Sequence, residues 1–453
     1  MSQSVLPSDL PQGANSMLRA LRSRDYRLFF GGQGISLIGT WLTRVATSWL
    51  VYQLIQPTTE ANAAWMLAVV TFAGLIPTLL LAPVAGVIVD RHDRMRVMLI
   101  TQVLALVQSA VLAALALAGI ITVTHVIILQ VFQGVINAFD APARQALTVD
   151  LVDRREDLSN AIALNSAMFN GARLLGPVVA AAILARANPG WCFVIDAVSY
   201  VAVVATLLML RNRPRRVIAR QRKRPLQELG DGFRYAFGSP PVRALLLLAS
   251  MVSMLSMSMQ TLLPIFSTRL QSQWDAAHAY GALLTAMGAG ALGATVYLAK
   301  RKTVVGLGRV IWVSAGLLGV AMVMFSFTTN LLPALPLVAL AGAAMITTMA
   351  GSNTILQTIV DDDMRGRLMS FFTMAVMGMA PFGSLLAGQL TKWFEVTGSV
   401  FIAGTICFAG ALLFAMKLPS LRPMVRKIYV AKGILPEIAT GLRAATDATT
   451  TPD

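Results

Sequence analysis

Charge is scarce in this sequence. Asp, Glu, Lys and Arg make up 13% of its 453 residues, against roughly a quarter in an ordinary soluble domain. Sulfur and imidazole ligands are scarcer still. Cys192 and Cys407 are the only cysteines and lie in separate apolar segments, which excludes a disulfide framework and a cysteine-based metal knuckle. His92, His125 and His278 fall near the ends of apolar runs, without metal-ligand spacing. No Gly-x-x-x-x-Gly-Lys-Ser/Thr loop is present, so direct drive by ATP is excluded and no cofactor is expected. The apolar segments hold no nucleophile, paired-carboxylate or metal constellation, so an enzyme is not expected either. The alternating ten-residue pattern of a membrane barrel is also missing.

What is present is hydrophobic: 56% of the residues. Apolar runs of roughly twenty residues, enough for a helix to cross a hydrocarbon layer about 30 Å thick, recur along the chain. Only helices or closed barrels satisfy every backbone group in lipid, so the expected fold is an all-α integral membrane bundle. Breaks at charge, Pro and Gly give twelve spans: 28–55, 64–89, 97–119, 124–146, 159–185, 191–210, 243–267, 278–299, 309–328, 331–357, 367–390 and 399–416. The first run is too long for the apolar core of a secretory signal and reads as an uncleaved span.

The formal charge of +16 resolves into topology. With the N-terminus inside, 32 of the 37 Lys and Arg fall on the cytoplasmic side and three, Arg186, Arg269 and Lys392, on the other. Arg44 and Arg173 lie within spans. So strong a bias puts both termini in the cytoplasm. It suits contact with anionic membrane lipids and needs no nucleic-acid partner. The basic stretch from Arg211 to Arg243 divides the spans six and six. The expected organisation is a cytoplasmic segment 1–27, six helices over 28–210, a basic linker 211–242, six helices over 243–416 and a cytoplasmic tail 417–453. Features recur at a near-constant offset: Gly86 and Gly293, Val152-Asp153 and Val360-Asp361, Pro177 and Pro381. This points to a duplicated six-helix unit.

The loop between spans 2 and 3 reads Gly86-Val-Ile-Val-Asp90-Arg91-His-Asp93-Arg94-Met-Arg96. Gly86 permits close helix approach, Asp90 suits a helix N-terminus or an arginine, and Arg94 lies one turn on to pair with a carboxylate. Such pairs act as a latch where two packings have similar energy. The loop resembles motif A of the major facilitator superfamily, G-x-x-x-D-R-x-G-R-R, except that Asp93 replaces the second glycine. The resemblance covers roughly residues 20–420. Further stretches resemble the branch of enterobactin exporters and macrolide-efflux permeases: Arg24-Asp-Tyr-Arg27, Asp140-Ala-Pro-Ala-Arg144-Gln-Ala, Asn160-Ala-Ile-Ala-Leu-Asn165-Ser, Ala172-Arg173-Leu-Leu-Gly176-Pro177 and Arg365-Gly-Arg367. The resemblance implies a pair between Arg94 and Asp140. It also implies a helix-5 kink at Gly176-Pro177, where the antiporter pattern G-P-x-x-G-G ends here in Ala180-Ala181. The helix-4 arginine of proton antiporters is replaced by Gln130, ahead of Gln133-Gly134.

A charge at mid-membrane normally faces a cavity or a partner. Arg44, with Thr40, Thr43, Thr47 and Ser48 around it, and Arg173 are both near mid-span. In this superfamily helices 1, 4, 7 and 10 line the pathway. The candidate cavity residues are therefore Arg44, Thr40, Thr47, Gln133, Asn137, Asn170, Arg173, Met257 and Gln260. Asp140 and Asp196 are the candidate coupling carboxylates. Net positive charge at mid-membrane suits an anionic or catecholate-like substrate, because charge is poorly screened there. The resemblance implies a monomeric exporter of a siderophore or drug-like amphiphile in a bacterial plasma membrane. It further implies alternating access, driven by an ion gradient, protons above all. The alternatives are a lipid or lysolipid flippase, or a sensor or scaffold that transports nothing.

Overall fold

In a computed structural model, residues 18–55, 58–210, 234–301, 303–361, 364–432 and 434 are described. Most of the linker, the first 17 residues and most of the tail therefore lie outside them. Among the described residues eleven long helices follow a short 3-10 turn at Arg19–Arg22: α1 Arg24–Ile55, α2 Glu60–Arg91, α3 Arg94–Leu117, α4 Val123–Leu151, α5 Leu158–Leu184, α6 Gly190–Leu208, α7 Pro240–Arg269, α8 Ala276–Lys300, α9 Leu307–Ser326, α10 Leu331–Ile359 and α11 Arg365–Ala431. Ten of them, α2 to α11, are long and apolar enough to cross a bilayer. Helix α1 is as long as α2, at 32 residues, but carries Arg44 among hydroxyl side chains.

Helix α11 is two arms. Glu395 has left-handed backbone angles, φ 59° and ψ 178°, and beyond it Ser399 Oγ donates to Ala387 O at 3.3 Å. Twelve residues of continuous helix would separate these positions by about 18 Å, so the chain has turned back on itself. The described residues thus hold twelve long helical arms. The second arm continues well past 416, where charge and Pro419 had placed the end of the last span. Its far end is held from the side: Leu421 and Tyr429 are buried, and Lys432 Nζ donates to Val360 O at 2.5 Å, capping the end of α10. Local charge marked the edge of the apolar layer rather than the end of the helix.

Pairing of the helices repeats after six elements. Helix α2 packs on α4, α3 on α6, and α1 on α5 and α6; correspondingly α8 packs on α10, α9 on the second arm of α11, and α7 on α11. The two halves meet through α2 against α11 and through α5 against α8, which the duplication relates to one another. Small residues set these distances, as lipid-embedded helices require. A Cβ on Gly319 of α9 would lie 2.6 Å from Phe408 N and 2.7 Å from Gly404 O, both backbone atoms of the neighbouring arm. Gly86 and Gly293, the pair related by the repeat, each have nothing within 4 Å of that position. The close approach expected at Gly86 is therefore not made in this conformation.

Substituting Gly319→Leu should force α9 from the second arm of α11 and cost about 1–3 kcal/mol, whereas Gly293→Ala should leave stability unchanged. The onset of thiol labelling on heating reads both, because Cys192 and Cys407 are buried and free. Equal onsets for the two variants would contradict the packing described.

Candidate functional site

Arg44 and Arg173, far apart in sequence, meet at one aromatic ring. The Arg44 guanidinium carbon lies 4.6 Å from the centroid of Trp41 and that of Arg173 5.7 Å from the same centroid. The ring is held by Phe169, edge-on at 5.8 Å, and by Gly176, whose missing side chain lets α5 close on the Trp41 Cβ. Neither arginine has a carboxylate at salt-bridge distance among the described residues. Arg44 is exposed although it sits at mid-length of α1. An arginine there requires water, a counter-charge or a π-face, and Trp41 supplies the last.

Asp196 spends its charge elsewhere. Its carboxylate, 1% exposed, accepts from Ser109 Oγ at 2.7 Å on α3 and from Thr43 Oγ1 at 2.9 Å on α1. A side chain on Gly39 would collide with it. One turn along α6, the Tyr200 hydroxyl lies 3.4 Å from Thr40 Oγ1. Asp140 is buried between α3 and α4: Gln102 Nε2 donates at 2.6 Å, Thr101 Oγ1 at 3.2 Å, and Arg144 pairs at 3.5 Å.

Arg94 does not pair with Asp140. It binds Asp150, with Nη1 2.8 and 2.9 Å from the two carboxylate oxygens. The reason is register. In the antiparallel α3–α4 pair Gln102 faces Asp140, so Arg94, about 12 Å nearer the helix start, lies over the end of α4, where its Nη1 reaches Ala146 O and Asp150. Asp150 was missed because the fourth span was ended at 146. The Asp93 that replaces the motif's glycine has a role of its own: Oδ1 accepts from Met95 N at 2.9 Å and Arg96 N at 3.2 Å, capping α3. Two of the branch-specific stretches also come together on this face. The Tyr26 hydroxyl is 3.0 Å from Ala161 O and 3.2 Å from Asn165 Oδ1, and Asn165 donates to Thr148 Oγ1 at 3.1 Å.

Among the described residues, a set of polar and aromatic contacts joins the halves on the opposite face. Arg269 at the end of α7 pairs with Glu60 at the start of α2 and donates to Thr397 Oγ1 at 3.2 Å. Tyr52 and Thr268 hydroxyls are 3.0 Å apart, Trp49 stacks on Tyr280 at 6.0 Å, and Lys392 Nζ lies 3.9 Å from the Trp65 centroid. Deeper in, Ser384 Oγ reaches Ala68 O at 3.2 Å, and the backbone of Arg173 and Leu174 lies against Gly288. Toward the motif loop, Leu80 and Val84 of α2 and Ile162 and Phe169 of α5 are exposed.

The other expected residues are scattered. Thr47 is buried with its hydroxyl unpartnered, Gln133 bonds Asn137 at 3.1 Å, Asn170 bonds Ser166 O at 2.8 Å, and Gln260 touches Met345 Sδ at 3.8 Å. Met257 is half-buried beside it on α7. Asp90 and Arg91, expected on a loop, are exposed in the last turn of α2, which runs to Arg91. Pro177 lies inside an unbroken α5, with its carbonyl facing Gly281 of α8. Trp41, part of the branch-specific stretch Gly39-Thr-Trp41, and Tyr200 were not among the expected site residues. Trp41 lies three residues before Arg44, on the same helix face, a spacing visible in sequence; Tyr200 has no such signal.

The transmembrane secretion effector family matches residues 15–429. The staphyloferrin A transporter of Staphylococcus aureus is 27% identical over 392 residues, covering 86% of this chain and 95% of that protein. The multidrug efflux pump Tap of Mycolicibacterium fortuitum is 27% identical over 408 residues, 85% and 93% of the two chains. Among solved structures, a bacterial homologue of the human lysosomal transporter Spinster, inward-facing and unoccupied, superposes with TM-score 0.65 at 13% identity, covering 92% of this chain and 99% of that one. A D-xylose-proton symporter gives 0.66 at 16%, covering 87% and 97%. These are likenesses of fold.

If Arg94 and Asp150 form the latch, Arg94→Asp and Asp150→Arg should each reduce transport and restore it together, whereas Asp140→Arg should not rescue Arg94→Asp. In a thermal double-mutant cycle the pair should couple by roughly 0.2–1 kcal/mol, the range of an exposed ion pair. Zero coupling would remove Asp150 from the latch.

Proposed function

Because the chain belongs to the transmembrane secretion effector family of the major facilitator superfamily, we propose that it exports a small organic molecule, a siderophore or drug-like amphiphile, by alternating access. It is a multi-pass membrane transporter; in this proposal it works as a monomer with twelve crossings, both termini in the cytoplasm and the motif loop on the cytoplasmic face. The named relatives support export, one as a staphyloferrin A transporter and one as a multidrug efflux pump. The observation that carries the reading is the asymmetry of the inter-half contacts around the two unpaired arginines. The halves are tied by Arg269, Glu60 and Thr397 at what this proposal takes as the outer face, while Arg44 remains open at mid-length of α1. Substrate would enter from the cytoplasm, and rocking would bring Gly86 and Gly293 into the contact that their missing side chains permit.

Proton antiport is the proposed drive, with Asp196 as the first candidate carrier and Asp140 as the second. Asp196 is a buried carboxylate held by hydroxyls alone, with no Lys or Arg at salt-bridge distance among the described residues, so gaining a proton breaks no ion pair. Asp140 is tied to Arg144.

In proteoliposomes, a pH gradient acid on the outer face should drive substrate outward. Asp196→Asn should lower gradient-driven transport by about tenfold or more while leaving downhill exchange intact. Transport indifferent to the gradient would remove proton coupling. A deletion strain that accumulates none of a panel of siderophores, macrolides and dyes would remove export.

A further inference from the structure

Two cations that share one indole ring, without an acid between them, form a half-built salt bridge. Arg44 and Arg173 lie within about 10 Å of each other, a distance at which like charges repel appreciably wherever water is partly excluded. Among the described residues no carboxylate lies at salt-bridge distance from either. The nearest buried acid on α6, Asp196, gives its oxygen to Ser109 and Thr43 rather than to Arg44. The cost is maintained by construction: Gly176 is needed for α5 to reach Trp41, and Phe169 fixes the ring from its edge. A planar guanidinium already stacked on an aromatic face has lost little further freedom when it binds a carboxylate through two parallel hydrogen bonds.

We infer that the Arg44–Trp41–Arg173 cluster is an anion clamp, and that the exported substrate is an organic dianion, with one carboxylate for each guanidinium and a planar group over the indole. The inference rests on the export reading and narrows it. Cationic amphiphiles, which a purely apolar cavity would accept, are repelled by this pair. Neutral amphiphiles leave both charges uncompensated, so the clamp contributes nothing to their binding. Discrimination then comes from the two fixed positive charges as much as from any attraction.

Carboxyfluorescein, a planar aromatic polycarboxylate, and ethidium, a planar aromatic cation, are the probes, with fluorescence anisotropy on the full chain in lipid nanodiscs as the readout. The wild-type protein is expected to bind carboxyfluorescein at least tenfold more tightly than ethidium. Arg44→Gln and Arg173→Gln should each weaken carboxyfluorescein binding by about tenfold, the scale of one lost charge-assisted pair, and leave ethidium binding equal or tighter. Arg44→Lys and Arg173→Lys, which keep the charge and lose the planar fork, should fall between and serve where a Gln variant does not fold. Wild-type affinity for carboxyfluorescein in the folded variants, or tighter binding of ethidium than of carboxyfluorescein by the wild type, overturns the clamp. Arginine-dependent binding with no movement of carboxyfluorescein, ethidium or erythromycin in energised proteoliposomes leaves the clamp standing and overturns the export reading instead.

Discussion

A guanidinium inside a hydrocarbon layer must find a counter-charge, water or the face of an aromatic ring, because leaving it bare costs at least about 2.5–3.5 kcal/mol. The placing of Arg44 and Arg173 follows from that constraint. Both stand near mid-span, both lie over Trp41, and Arg44 keeps its exposure. Around them, among the described residues, no acid stands at salt-bridge distance: Asp196 is occupied by hydroxyls and Asp140 by Gln102, Thr101 and Arg144. A transporter that must release what it binds has reason to keep its charge-neutralising partner mobile, and in the proposed cycle the substrate is that partner.

The duplicated architecture supplies the rest. Pairings in the first half recur in the second, and the inter-half seams, α2 with α11 and α5 with α8, are related by the same repeat. Such a seam can hinge. At the face bearing Glu60 and Arg269 it is fastened by an ion pair, stacked rings and a cation over Trp65. Toward the motif loop, the paired glycines Gly86 and Gly293 have open space around them. The Arg94–Asp150 pair stays within the first half and joins α3 to α4.

Sequence reading recovered what depends on composition and local pattern, and missed what depends on register. The helical membrane fold followed from apolar run lengths, and the two interior arginines stood out because charge is rare in such runs. Their meeting at Trp41 could not be read, since it depends on α5 crossing α1 at Gly176. The resemblance pointed to Asp140; the antiparallel packing of α3 on α4, with Gln102 opposite Asp140, brings Asp150 to Arg94 instead. The end of the last helix was misplaced because Lys417 and Pro419 look like a boundary, while burial of Leu421 and Tyr429 and the Lys432 cap carry the helix on. The Asp93 substitution in the motif reads as a helix cap only when α3 is seen to begin at Arg94.

The central claim is that the two halves separate at the motif-loop face and exchange that opening for one on the other side. It is tested most directly by the distance between spin labels at Ile162 on α5 and Val296 on α8, two exposed positions near the motif-loop ends of one seam. Pulsed dipolar spectroscopy on the reconstituted protein should give a long distance at rest and a second, shorter one when substrate and a pH gradient are applied. A single distance, unchanged under every gradient and ligand, would contradict the account.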